Sequence, residues 1–294
     1  MGDDQRGRAI VIKLRHFLHP LRTAGSLYRR AESFSINRKI SRIKRGVRDT
    51  CWCSGKLTEF LQKPSYGICE RCGCYVNRAP PLPEELKKLY SFDFYWHTLQ
   101  KYRGHPIIED RTETDQKDGR VEHWVSLVER YRPVGNRVLE VGCAHGVLLE
   151  ELAKRGYSCV GTEVDEATAA WTREKTGLQI LTGLFPGGEV PPCDIFLSFD
   201  VIEHSVSPEE FLWEAAKVLS PEGIVILQTP IDLKQYDPPL GTMFEKSFDD
   251  TQHLFVFTRE SISLLAERCG LKVAEVDPWR VGHEIVVLKK TSTC

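Results

Sequence analysis

The sequence predicts an α/β fold: a parallel sheet wound on both faces by helices, with a small cysteine-bearing module ahead of it. Three observations lead there. The stretch RVLEVGCAHGVLLEELAKRG, residues 137–156, reads as a buried strand, a tight turn holding Gly142 and Gly146, and a helix with Leu148, Leu149, Leu152 and Ala153 on one side. Beyond it, apolar runs of strand length alternate with segments of helical period. Before it, five of the ten cysteines fall within residues 51–74.

At 294 residues the chain can bury one full core and still carry a small second module. Its net charge of −1 conceals an asymmetry, because residues 1–50 hold thirteen Lys or Arg against four Asp or Glu, near +9, which leaves the remainder acidic. No apolar run approaches the length of a membrane span. Charges flank AIVIKL, the one apolar stretch near the start, which argues against a secretory signal. One cysteine cluster, with the other cysteines scattered through strands and helices, fits a reduced cytoplasmic protein with one metal site.

Residues 1–50 form a basic arm in which Ile10, Val11, Leu14, Phe17, Leu18 and Leu21 recur at helical spacing among Lys13, Arg15 and Arg22. Such an amphipathic helix either rests on an anionic membrane surface, contacts nucleic acid, or packs on its own catalytic domain. Residues 51–80 carry Cys51-x-Cys53 and then Cys69-x-x-Cys72-x-Cys74. Paired cysteines on two knuckles complete a tetrahedron around zinc, and Cys51, Cys53, Cys69 and Cys72 are the simplest ligand set, with Cys74 as a substitute. A closed four-cysteine site is structural. Buried free thiols or a regulatory disulfide are the nonmetal alternative.

Residues 81–120 read as a helical and aromatic linker. Tyr90, Phe94, Tyr95 and Trp96 either wall a substrate pocket or form the seam between modules. EDRTETDQKDGR, residues 109–120, reads as an exposed loop.

From residue 121 a helix to about Tyr131 leads through Pro133-Val134-Gly135 into the first strand of the core. The glycine turn after that strand offers free backbone N–H groups and a positive helix end, as a nucleotide or nucleoside site does. The second strand ends at Glu163, an acid placed to accept hydrogen bonds from both ribose hydroxyls. LQILTG is the third strand, CDIFLSFDVIEH the fourth, and GIVILQTP the fifth. Between the last two, Ser207 and Pro208 start a helix. Thr258 caps a further helix with Glu260 in its first turn, and LKVAEV and EIVVLKK close the chain as a hairpin.

The pattern E-x-G-x-x-x-G, with Cys143, Ala144 and His145 between the glycines, resembles motif I of the class I S-adenosylmethionine-dependent methyltransferases. That motif usually reads E-x-G-x-G-x-G, so Ala144 stands at its second glycine. Asp200-Val201-Ile202-Glu203-His204 resembles the F-D-V-L-E-H signature of a large subgroup, and HLFVFTRESISLL resembles a segment near the end of the same subgroup. The resemblance covers residues 121–294. Residues 51–96 resemble, more loosely, the N-terminal zinc-binding domain of sugar and small-molecule methyltransferases. Together these imply a Rossmann-like doubly wound seven-stranded sheet with an antiparallel last strand, and a zinc-ribbon-like N-terminal module. The cofactors implied are S-adenosylmethionine and a structural zinc. The implied cofactor contacts are Glu140, Gly142, Cys143 and Gly146 in the turn, Glu163 and Val164 at the second strand, and Asp200 and Val201 at the fourth. Asp200 would meet the cofactor's ammonium, directly or through water.

Methyl transfer from a sulfonium depends mainly on positioning, and a base is needed only where the acceptor loses a proton. His253 is the candidate base. Zinc-binding sugar C-methyltransferases read roughly Y-H-E-H-L-x-Y-F in the matching stretch, and this chain keeps the histidine while Asp250 and Gln252 replace the tyrosine and glutamate. Carbon, oxygen and nitrogen methylation therefore all stay open, and a structural His253 packed in the lid is the alternative. The acceptor expected is a small molecule, with a sugar or glycan intermediate favoured. An RNA-directed enzyme competes, given the ribbon and the basic arm. Against it, no Asn-Pro-Pro-Tyr-like motif follows the fourth strand, and Cys193 precedes that strand. A noncatalytic binding protein with a vestigial cofactor fold is the third reading, disfavoured by Glu140, Gly142, Gly146 and Glu163.

Overall fold

A computed structural model describes residues 34–233 and 242–291, with backbone alone at 242 and 243. The chain divides into two compact units, Met1–Ile43 and Lys44–Cys294. Of the first, residues 34–43 are described, helical over 34–41. The basic helix expected around residues 10–22 lies outside the described residues.

In the second unit a seven-stranded sheet is built from β4 (Arg137–Val141), β5 (Ser158–Glu163), β6 (Gln179–Thr182), β7 (Cys193–Phe199), β8 (Leu219–Thr229), β11 (Leu271–Arg280) and β12 (His283–Lys290). Its order is β11-β12-β8-β7-β4-β5-β6. Pairing is parallel from β8 through β6, while β12 runs antiparallel to both of its neighbours. The doubly wound sheet with an antiparallel last strand is therefore present as expected.

Helices cover the sheet because their apolar stripes match its alternating side chains. In β8, Ile224 and Ile226 join one core, whose helical wall is α3 (Arg120–Arg130) and α4 (Val147–Lys154), through Trp124, Val128, Leu148 and Leu152. Residues of the intervening positions face the other way. On that side Phe211 of α6 (Pro208–Val218) meets Phe196 of β7 edge to face. Ser207 accepts from the Glu210 N–H at the start of α6. Thr258 and Ser261 form a reciprocal cap on α7 (Arg259–Arg268).

Residues 109–120 are not the exposed loop that their polarity suggested. They supply most of α2 (Ile108–Lys117). Only Ile108 of this helix is apolar and fully buried, so periodicity had nothing to register. Polar tertiary contacts hold it instead: Asp115, 2% exposed, accepts from Arg111 Nε at 2.9 Å and pairs with His145 Nε2 at 3.1 Å.

A second sheet runs β1-β2-β3-β10-β9. It joins β1 (Leu57–Glu59), β2 (Tyr66–Cys69) and β3 (Tyr75–Asn77) to β9 (Ile231–Asp232) and β10 (Phe255–Thr258). β10 pairs antiparallel with β3 and parallel with β9. The cysteine-bearing strands thus share a sheet with strands from the far half of the chain. Phe60, Tyr66, Phe244, Phe248 and Val256 form the core beneath them.

The turn after β4 is left-handed at three alternate residues, with φ of 74° at Gly142, 47° at Ala144 and 72° at Gly146. Ala144 therefore adopts the conformation for which its position normally carries glycine, at about 1 kcal/mol of strain. Gly142 is held more strictly, since a Cβ there would sit 2.5 Å from Val201 Cγ2. Two substitutions separate the effects in urea denaturation. Gly142→Ala should lower stability by about 2 kcal/mol or more, from strain plus overpacking. Ala144→Gly should raise it by less than about 1 kcal/mol, because the relief of strain is partly offset by a more flexible unfolded chain.

Candidate active site

At the carboxyl end of β5, Glu163 accepts from the backbone N–H of Ala144 at 3.2 Å and of Val164 at 2.8 Å. Its carboxylate therefore sits directly against the glycine turn. Burial raises its pKa, against the pull of these N–H groups. Glu140 lies at the end of β4 with Oε2 buried and unpartnered. Burial, and then the Glu163 charge, push its carboxyl up to about 8. Cys143 is buried, donates its N–H to Thr162 O at 3.1 Å, and has its thiol held neutral chiefly by burial. Gly146 begins α4. Glu140, Gly142, Cys143, Gly146, Glu163 and Val164 are thus gathered at adjacent strand ends. A carboxylate fixed by main-chain donors suits a diol, and the first turn of α4 suits polar groups of a nucleoside.

Asp200, the residue after β7, is in a left-handed conformation, φ 56°, and the next residue, Val201, packs against Gly142. Its Oδ2 accepts from Gln228 Nε2 at 3.0 Å and its Oδ1 lies 3.1 Å from His283 Nδ1. Gln228 in turn accepts from Trp124 Nε1 at 3.0 Å. Burial alone would raise the Asp200 carboxyl, but His283 and Gln228 bring it down to about 2. It is anionic at neutral pH and suited to an ammonium group.

Beyond Asp200, Glu203, His204 and His253 converge, one ligand-capable atom of each lying within 4.8 Å of the others. His253 Nδ1 is 2.6 Å from Ser247 O, and His204 Nδ1 is 2.9 Å from Gln252 O. A carbonyl only accepts, so both rings carry their proton on Nδ1 and present an Nε2 lone pair. Burial lowers the pKa of His253, and burial with the His253 ring lowers that of His204 to about 4. Both imidazoles are neutral at pH 7. Glu203 moves the opposite way, since burial and then the Asp200 charge raise its pKa. Its Oε2 takes the Thr229 hydroxyl at 3.0 Å, while Oε1 is buried without a partner. Tyr90, just after α1 (Pro83–Leu89), stands edge-on to the His204 ring with its own hydroxyl unpartnered. Trp96 is buried in the following π-helical turn Asp93–Gln100. The aromatic stretch therefore reaches His204, the neighbour of the candidate base, at Tyr90 and packs inward at Trp96.

Cys51, Cys53, Cys69 and Cys72 bring their sulfurs within 4.8 Å of one another. The closest pairs are 3.5 Å for Cys53 with Cys69 and with Cys72, and 3.7 Å for Cys51 with Cys72. A tetrahedron with Zn–S near 2.3 Å needs S···S of about 3.8 Å. These separations fit that ion and are too long for a disulfide. Cys74 lies beside Cys51 but outside this group of four, its thiol directed to Val256 O at 3.4 Å.

Several residues of the site had no sequence signal. Gln228 and His283 reach Asp200 across strands that are distant in sequence. Arg103 donates to Asp249 Oδ2 at 2.7 Å and to Gln252 Oε1 at 2.5 Å, fastening the segment that carries His253. His145, sitting between the two glycines, could have been singled out as a buried partner. Its acid, Asp115, lay in the stretch read as loop.

The neutral carboxyl of Glu140 has a consequence for stability. A group that keeps its proton in the fold but loses it when unfolded binds more protons in the native state. Stability then falls as pH rises from about 4.3 toward 8, by up to about 1.4 kcal/mol per pH unit. Glu140→Gln should flatten this decline in denaturant titrations at pH 5 to 8 and be the more stable protein at pH 8. Parallel profiles for the two proteins would mean that Glu140 is ionised in the fold.

Residues 112–276, more than half of the chain, match the family described as methyltransferase domain. A ubiquinone biosynthesis O-methyltransferase of Maricaulis maris strain MCS10 is 30% identical over 163 residues, 52% of this chain and 64% of its own length. A protein of the same name from Caulobacter sp. strain K31 is 34% identical over 105 residues, 32% of this chain and 41% of its own. The chain thus spans less than two thirds of these relatives. A solved candidate O-methyltransferase from Nostoc punctiforme PCC 73102 shares the fold, with a TM-score of 0.51 at 16% identity over 58% of this chain and 56% of its own. With its strand order and glycine turn, the chain belongs to the methyltransferase-domain family, within the class I S-adenosylmethionine-dependent methyltransferases.

Proposed function

We propose that the protein moves the methyl group of S-adenosylmethionine to a hydroxyl of a small-molecule acceptor, with His253 as the base. The observation that carries this reading is the pair of imidazoles each tied through Nδ1 to a main-chain carbonyl, which leaves Nε2 as the basic atom of each ring in the cluster beyond Asp200. In it, Glu163 holds the ribose diol, the turn from Gly142 to Gly146 lies along the nucleoside, and Asp200 takes the ammonium. Cys143, Val164 and Val201 supply close packing, and Glu140 backs the turn. Bound there, the sulfonium supplies an already activated methyl group. The chain's own part is to align the acceptor and to take its proton at His253 Nε2. A lowered pKa keeps that nitrogen unprotonated at neutral pH.

Oxygen as the methylated atom is supported by the relatives named as O-methyltransferases. A sugar or glycan acceptor rests on the combination of a cysteine module with this core. Among the described residues no helix is long and apolar enough to cross a membrane. Cys51, Cys53, Cys69 and Cys72 hold one structural zinc in this reading.

Calorimetric titration with S-adenosylhomocysteine tests the cofactor site. Glu163→Ala should weaken binding more than tenfold, about 1.4 kcal/mol. Mass spectrometry after incubation with S-adenosylmethionine and, separately, sugar nucleotides, phenols and RNA then reads a gain of one methyl. Methylated RNA alone would replace the small-molecule acceptor. For the metal, elemental analysis should find one zinc per chain, and Cys72→Ser should lose it together with thermal stability. Full stability in a zinc-free preparation would remove the structural metal from the account.

A further inference from the structure

We propose that the cysteine-bearing sheet is the positioning element for the base: Tyr66 and Asn77 hold the main-chain carbonyl of His253 and so fix the imidazole. The inference rests on the reading of His253 given above and concerns the same site.

Tyr66 opens β2, three residues before Cys69, and is fully buried. Its hydroxyl donates to His253 O at 2.8 Å, with Asp249 O 3.2 Å away. Asn77 ends β3 at 1% exposure. Its side-chain amide donates to His253 O at 3.1 Å and to Asp250 O at 3.3 Å, and its backbone N–H donates to Leu254 O at 3.0 Å. Ser65 adds a bond to Asp250 Oδ1 at 2.7 Å. One carbonyl thus receives two buried donors, both from the cysteine-bearing strands, immediately before β10 joins the same sheet at Phe255 opposite Val76.

The ring follows from this main-chain anchor. His253 N–H donates to Asp249 O at 2.9 Å, and Nδ1–H to Ser247 O at 2.6 Å, so the segment closes on its own imidazole. With Nδ1 engaged in this way, Nε2 is the nitrogen left to take a proton. A shift of about 1 Å in such a group is enough to misalign proton transfer. The charged and titratable groups facing the ring are Asp249 on its own segment, Glu203 and His204 on the turn after β7, Asp200 at the end of β7, and Arg103. None of them belongs to the cysteine sheet, whose contribution is made through main-chain geometry alone.

The test uses the full-length protein with 15N-labelled histidine, reading long-range proton–nitrogen correlations of the rings, with His253→Gln to identify the signals. The wild type should show His253 as the Nδ1–H tautomer. Tyr66→Phe keeps the ring packed against Phe248, 5.1 Å between centroids, and removes only the hydroxyl. In it, and in Asn77→Ser, the His253 signals should move or average between tautomers. The titration midpoint should climb toward about 6.5, the value of an unperturbed histidine. Affinity for S-adenosylhomocysteine should stay within twofold of the wild type. His253 signals superimposable on wild type in both variants, with that affinity intact, would overturn the positioning role alone. Failure of the wild type to bind S-adenosylhomocysteine would overturn the methyltransferase reading and this inference with it. If neither variant folds, the two bonds serve the fold and the proposal is overturned.

Discussion

The bond between the Glu163 carboxylate and the Ala144 N–H is the constraint on which the rest of the site depends. It ties the end of β5 to the middle of the turn after β4, and the Val164 N–H holds the same carboxylate from its own strand. Two buried acids then stand side by side. Both cannot ionise cheaply, and Glu140, which has an oxygen without a donor, is the one that stays protonated. On the other side of the turn, Gly142 admits the Val201 side chain where a Cβ would not. Val201 arrives there because Asp200 takes a left-handed conformation at the end of β7. Strained backbone at Ala144 and Asp200 is therefore matched by the packing and charge that it permits.

Within a few residues the same fold drives like groups to opposite states. Asp200 is stabilised as an anion by His283 and Gln228, whereas Glu203, three residues on, has one oxygen on the Thr229 hydroxyl and the other without a hydrogen bond, 3.9 Å from His204 Nε2. Its raised pKa follows from burial and then from the Asp200 charge. His204 and His253, each spending its single proton on a carbonyl, are basic in geometry but neutral in charge. An ionised acid close to two neutral imidazoles is the combination that the proposed transfer to a protonated acceptor would use.

What the sequence disclosed depends on range. Strand, glycine turn and helix at residues 137–156 are written in contiguous periodicity, and the cap at Thr258 in one residue and its third successor. The meeting of Cys51, Cys53, Cys69 and Cys72 was legible despite the short C-x-C, because two closely spaced pairs on two turns have few other ways to come together. α2 was not legible: IEDRTETDQK has no apolar stripe, and its helix exists because Asp115 finds Arg111 and His145 in three dimensions. Nor was the tautomer of His253, which is set by the Ser247 carbonyl six residues away. The pairing of β3 with β10 joins residues about 180 positions apart, and no local pattern announces such a ladder.

That ladder changes what the cysteine segment is. Residues 51–80 read in sequence as a module placed before the catalytic core, yet their sheet is completed by β10 and β9. Thr258 shows how closely the two are joined: its hydroxyl caps α7 through Ser261 and also donates to Cys72 O at 3.3 Å. One residue thus connects a cysteine knuckle, a strand of the shared sheet and a helix packed on the core. The cysteine-bearing strands and the segment that leads from His253 into α7 are in this way parts of a single sheet rather than of two modules.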